Sequence, residues 1–181
     1  MRVSATSSYQ GTAPGVAVTT AGGEVLVRAD CGTVCSLQLR VTVPAGLAAS
    51  VESSTGEVTA SGLGGALDLT SRSGAISVVG SAGPLALRSD SGSVTVTDSR
   101  SPGVRITTGN GTVRAAFAAP PTGVEITTGD GGADLSVPGG AEYSIDARST
   151  AGTPPQINLP VDRNATRTIT VRTAAGAITI R

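Results

Sequence analysis

Cys31 and Cys35 stand four residues apart around Gly32-Thr33-Val34, and they are the only thiols in the chain. A pair at that spacing can close a disulfide if the segment doubles back; the other reading is two free, partly buried thiols. The spacing does not fit a redox Cys-x-x-Cys, and zinc would need further ligands in a chain with no His and no other Cys. Neither His nor Lys is present to activate any of the many serines as a nucleophile. Carboxylate-pair glycosidase or lyase chemistry is open in form only: Asp68, Arg88 and Asp90 fall on adjacent repeats, where a solvated row of ion pairs is the expected reading. The stretch Gly129-Asp-Gly-Gly-Ala-Asp134-Leu135 matches one copy of a calcium-binding β-roll repeat, but that site is shared between consecutive copies, and one copy reads as a glycine-rich corner. Thr95-Val-Thr97 and Thr168-Ile-Thr170 have the form of an ice-binding row, which Arg114-Ala-Ala116 and Asp134-Leu-Ser136 interrupt. No strand, glycine-rich loop and helix cradle for phosphate is present. The expectation is therefore no catalytic residue, no metal site and no cofactor.

The residues that recur most regularly are glycines. Gly56, Gly74, Gly92, Gly111, Gly131, Gly152 and Gly176 each close a short Ser/Thr-rich phrase, at intervals of 18, 18, 19, 20, 21 and 24 residues. Apolar residues alternate on both sides of each, so one repeat holds two short strands and a bend. Val51, Leu69, Leu87, Ile106 and Ile126, with Ile145 and Val171 more loosely, form one rank before the bend. Leu67, Leu85, Val104, Val124, Tyr143 and Ile169 form a second. After the bend come Val58, Ile76, Val94, Val113, Ala133 and Ile178, then Val78, Val96, Leu135 and Ile180. Strict alternation puts these inside and their neighbours in water.

Like residues at like positions favour parallel stacking of equivalent strands. The expected fold is all-β: a β-solenoid resembling a parallel β-helix, with two short strands and a glycine bend per coil of 18–20 residues. An antiparallel sandwich or prism is the rival. The bend glycines are expected to supply positive φ, and the adjacent hydroxyls to bond local backbone and tighten the corner. One coil cannot stand alone, because its few inward side chains do not offset the entropy of ordering it.

Residues 15–46 do not follow the period. Strands are expected at 15–20, 23–30 and 35–44, with a turn at Ala21-Gly22-Gly23, forming an antiparallel cap on the first coil. Residues 1–14 read as a disordered or extended lead-in to a single domain over 15–181, with coils from 47. Residues 149–166, interrupted by Pro154, Pro155 and Pro160, read as an irregular coil, and the last strand, Ile178–Arg181, as an exposed edge or contact site.

Composition narrows the function. Thirteen arginines balance thirteen carboxylates, so no net field draws the chain to nucleic acid or an anionic membrane. Two tyrosines, one phenylalanine and no tryptophan count against sugar- or base-stacking grooves. No apolar run is long enough to span a membrane as a helix, and the first ten residues lack the apolar core of a signal peptide. The expected choice is between a cytoplasmic protein and an ectodomain whose upstream anchor is missing.

The phrase Leu39-Arg-Val-Thr-Val-Pro-Ala-Gly46, followed by Val51-Glu-Ser-Ser-Thr-Gly56-Glu-Val58 and Gly62-Leu-Gly-Gly-Ala-Leu67, resembles bacterial adhesin-like β-strand-repeat proteins of actinobacterial type, a domain of unknown function. The resemblance covers roughly residues 15–181. It implies a β-solenoid, often preceded by a membrane anchor, and carries over no catalytic residue. The chain departs from that pattern after the bend: only Glu57 is acidic, where Ala75, Ser93, Thr112, Gly132, Thr153 and Ala177 follow the later glycines. A carboxylate ladder for calcium is thereby lost. The implied function is a non-enzymatic scaffold or interaction module at the cell envelope, with an unidentified protein or surface partner. The resemblance, with a disulfide, favours an extracytoplasmic place. The alternatives are an intracellular regulatory or sensory domain that docks a partner through its last strand, and, more remotely, a polysaccharide-processing enzyme.

Overall fold

The computed structural model describes residues 1–32 and 34–181. Among the described residues all regular structure is strand, and the chain divides at Pro44–Ala45 into two compact units.

The first unit holds β1 (Arg2–Tyr9), β2 (Gly15–Ala21), β3 (Glu24–Asp30) and β4 (Cys35–Thr42). Residues 2–9, expected as lead-in, form a strand that pairs antiparallel with β4 along its whole length. β2 and β3 make a hairpin closed by Gly22 and Gly23, with φ of +60° and +82°. Both residues of such a two-residue turn need positive φ to match strand twist, and glycine adopts it without strain. The turn expected around Gly32-Thr33-Val34 includes Thr33, which lies outside the described residues.

The second unit is a solenoid of seven coils. One strand of each coil joins one seven-stranded parallel sheet, and the other strand joins a second seven-stranded parallel sheet. In chain order these are β5 (Ala49–Ser53), β6 (Val58–Ser61), β7 (Leu67–Ser71), β8 (Ile76–Val79), β9 (Leu85–Ser89), β10 (Val94–Ser99) and β11 (Gly103–Thr108). Then follow β12 (Val113–Phe117), β13 (Gly123–Thr128), β14 (Ala133–Ser136), β15 (Ser144–Ser149), β16 (Gln156–Ile157), β17 (Thr168–Thr173) and β18 (Ile178–Ile180). Their β-branched and leucine side chains alternate inward with period two and fuse into one buried cluster drawn from both sheets. Parallel stacking, rather than the antiparallel rival, is the arrangement.

The ladders follow the expected ranks after the bend: Val58, Ile76, Val94, Val113, Ala133 and Ile178 are successive register partners. Before the bend, one coil is displaced by two residues. Val171 pairs with Ala147 and Ile169 with Ile145, so Ile145 belongs to the second rank and Tyr143 lies one step further back. A slip of two keeps the same face inward, which is why alternation alone did not reveal it.

The larger departure is in coil order. β17 lies between β13 and β15, and β18 between β14 and β16. The chain skips a slot after β14, builds the outer coil with β15 and β16, then returns to fill the gap. The last strand is therefore not an edge. Ile178 and Ile180 are buried, and β18 is paired on both sides. Docking through an exposed final strand is corrected on this ground.

Candidate functional site

The repeated phrase converges on one corner of every coil. Serine or threonine at the end of each strand of the first sheet forms a ladder: Ser53, Ser71, Ser89, Thr108, Thr128, Thr173 and Ser149. These side chains point inward, and the five interior ones are buried. Four of these hydroxyls accept a hydrogen bond from the bend glycine three residues on: Gly74 to Ser71 at 2.9 Å, Gly92 to Ser89 at 2.9 Å, Gly111 to Thr108 at 3.2 Å and Gly152 to Ser149 at 3.1 Å. Three of these four, and Thr173, donate to a glycine carbonyl of the neighbouring coil. Ser89 reaches Gly74 at 3.2 Å, Thr108 reaches Gly92 at 3.0 Å, Thr173 reaches Gly131 at 2.9 Å and Ser149 reaches Gly176 at 2.9 Å. At Ser89, Thr108 and Ser149 one hydroxyl thus satisfies a backbone donor in its own coil and an acceptor in the neighbouring one.

Six of the seven bend glycines are required by that stacking. A Cβ on Gly74 would overlap the carbonyl oxygen of Gly56; Gly92 meets that of Gly74, Gly111 that of Gly92, and Gly131 that of Gly111. Gly176 meets Gly131, and Gly152 meets Gly176, following the spatial and not the chain order. Among the seven, only Gly56 has positive φ, at +110°. The expectation that the bends need left-handed backbone is corrected for the other six: close approach between coils excludes a side chain there.

A second buried hydroxyl group carries no apolar signature in sequence. Ser81, Ser99 and Ser101 sit at another corner, with Ser81 Oγ 3.0 Å from both Ser99 Oγ and Ser101 Oγ. The backbone N–H of Ser101 donates to Ser99 Oγ at 3.2 Å. These groups, too, are committed to holding the corner.

The sequence-derived candidates do not assemble. Asp68 is the register partner of Ala86, and Arg88 of Thr70 and Thr107. Neither Asp68, Arg88 nor Asp90 makes an ion pair among the described residues; the pairing runs instead from Arg105 to Glu125 at 2.8 Å, directly across β11 and β13, and from Asp146 to Arg148 at 2.8 Å and Arg172 at 3.5 Å. Thr95 lies on β10 and Thr170 on β17, in different sheets, so the two Thr-x-Thr motifs share no row. Thr95 has Ser77 and Arg114 as neighbours. Gly129 packs at the corner against Gly109, and Asp134 pairs with Arg181 at 3.0 Å. Among the described residues, no group of three or more His, Cys, Asp or Glu side chains is placed to hold a metal ion.

Cys31 and Cys35 are bonded, with Cα atoms 5.6 Å apart, and tie the end of β3 to the start of β4. Two shallow hollows are found on the surface of the described residues. One, of 270 Å³, lies on the β1–β4 pair beside Ser4, Thr6, Gln38 and Arg40. The other, of 420 Å³, lies on the solenoid between Pro120, the Gly140–Glu142 turn and Ala165–Arg167. Beside that stretch, Tyr143 is wholly buried, and its hydroxyl has no hydrogen-bond partner. Burial pushes the Tyr143 hydroxyl above its ordinary pKa, and the Arg167 charge opposes that rise. Tyr143 does not line the hollow, so the two do not combine into a reactive site.

No curated protein and no solved structure matches the chain. The sequence profile described as Toastrack DUF4097, a domain of unknown function, matches residues 15–181. A rack of regularly spaced coils of this kind, matched over nearly its whole length, places the chain in the Toastrack DUF4097 family.

Proposed function

We propose that the solenoid is a non-enzymatic interaction module displayed, adhesin-like, at the bacterial cell envelope. The observation that carries this reading is where the chain's hydroxyls go. The repeated serines and threonines that could serve chemistry are buried at the corners and bonded to backbone, leaving outward rows of mixed polar residues to meet a partner. On the first sheet those rows include Asp68, Arg105, Glu125, Thr170 and Asp146; on the second, Thr59, Ser77, Thr95, Arg114 and Asp134. Such surfaces suit broad, shallow contact more than the enclosed pocket of a small-molecule site. The Cys31–Cys35 disulfide supports an oxidising compartment.

The test is to express the full gene with an epitope tag and fractionate the cells, with protease added outside intact cells. The expected result is envelope-associated protein that external protease digests, with Cys31 and Cys35 oxidised. Protein confined to the cytosol with both thiols free would overturn the envelope reading. Turnover of a cell-wall glycan, abolished by Asp68→Asn or Asp90→Asn in folded protein, would overturn the non-enzymatic one.

A further inference from the structure

The slot skipped by the chain has a consequence for self-association. β15 has one ladder partner, β17, and β16 has one, β18. The outer coil is therefore hydrogen-bonded to the rest of the rack through a segment that is added after it in sequence. That segment, Arg167–Arg181, pairs over six residues with β13 on one side and six with β15 on the other. It buries Ile169, Val171, Ile178 and Ile180, and puts Gly176 into the glycine column between Gly131 and Gly152. Thr173 also donates to the Gly131 carbonyl from within it. Everything the segment recognises lies on the two coils flanking the slot.

We propose that this slot accepts Arg167–Arg181 from a second copy of the chain, giving a reciprocal strand-exchanged dimer. The occupant is the same segment because the slot demands its particular sequence of features: two apolar residues on β17, a hydroxyl at Thr173, glycine at 176, then two apolar residues on β18, all in register. Its connection to the outer coil is a single short stretch in which Arg163, Asn164 and Thr166 are exposed. Within it, the Ala165 N–H donates to the Asp162 carbonyl at 3.1 Å and the Asn164 N–H to the Asp162 carboxylate at 2.9 Å. That tight turn folds the segment back into its own slot. Exchange keeps every contact of the segment and changes only this hinge, which is the condition under which swapping costs little. The short tether gives the intramolecular form a high effective concentration, so the dimer forms when protein concentration is high or the tether is too short to turn.

Two labelled preparations of the full chain carrying Thr127→Cys and Arg172→Cys are unfolded, mixed and refolded at low and high concentration. Those two positions are direct partners across β13 and β17, so an oxidised bond reports which copy's segment fills the slot. The expected result is an intrachain bond at low concentration and, at high concentration, a dimer whose bond links the two labels. Deleting Asn164 and Ala165 should make that dimer the main species even when dilute. Monomer at every concentration, or a dimer in which the bond stays within each chain, overturns the proposal. If the deletion variant does not fold, the bond pattern of the chain with its native hinge decides alone.

Discussion

The β2–β3 hairpin and the solenoid use the same alternation and end in different states. Val16, Val18 and Val25 share one face of the hairpin, set by the same two-residue step that puts Leu85 with Leu87 and Val104 with Ile106. Yet the first three are exposed, with Val18 at 51%, while Ile106 and Ile126 are at 0%. Alternation supplies an apolar face; burial needs a second layer for that face to meet. In the solenoid each coil brings two strands whose inward faces meet each other, and stacking seals the faces above and below. The β1–β4 and β2–β3 pairs are two-stranded sheets, which are marginal on their own, and there a covalent bond between Cys31 and Cys35 does part of the work.

The sharpest test of that contrast is steric. Gly92→Val inserts a branched side chain where even a Cβ meets the Gly74 carbonyl, and should cost upward of about 4 kcal/mol. Nothing lies within 4 Å of a Cβ on Gly22, so Gly22→Ala should cost only about 1 kcal/mol, through its positive φ. Urea unfolding of both variants measures the difference, and equal losses would break the distinction between stacking and turn glycines.

Next comes burial itself. Ile106→Ala should cost about 2–5 kcal/mol by removing a fully buried side chain, whereas Val18→Ala should stay within about 0.5 kcal/mol. A comparable loss at Val18 would mean that the hairpin face is covered in solution.

Reducing the disulfide should remove about 2 kcal/mol for so small a loop, and from the first unit alone. Hydrogen exchange is the readout: amides of β1–β4 lose protection and those of β7–β14 do not. Exchange rising throughout the solenoid would show that the two units unfold together.

The smallest effect concerns Tyr143. Its hydroxyl pKa is raised by burial, so the neutral form is favoured in the folded protein. The stability linked to it is complete below the unfolded value of 10.0 and lost as pH rises through the folded value. Tyr143→Phe should therefore flatten the alkaline decline. Near neutral pH it should change stability by no more than about 1 kcal/mol, since the hydroxyl has no partner to lose. Thermal melts from pH 7 to 11 check both parts.

Much of the solenoid is legible in the sequence because stacking copies one constraint onto many coils. Ser71, Ser89 and Thr108 each stand three residues before a glycine, and the same hydrogen bond recurs at each. What misled was local. A glycine at a bend suggests positive φ, and only the neighbouring coil reveals that Gly74, Gly92, Gly111 and Gly131 are held by close approach. Ser81, Ser99 and Ser101 look like solvent-facing loop residues, and nothing in their spacing signals a buried hydroxyl cluster. The candidate chemistry dissolved for a related reason: Asp68 and Arg88 lie on adjacent coils, but register sets them opposite Ala86 and Thr70.

The amino-acid sequence by itself determined the strand periodicity, the inward face of each strand and the glycine corner, because these follow from side-chain alternation and from a phrase repeated within each coil. Coil order was decided only in three dimensions. Both 144–149 and 168–173 alternate apolar with polar residues, so alternation alone does not show which of the two stacks on β13. The chain reaches that order through the connection, where Tyr143 is bridged to Val161 and Asp162 turns the chain back into the slot.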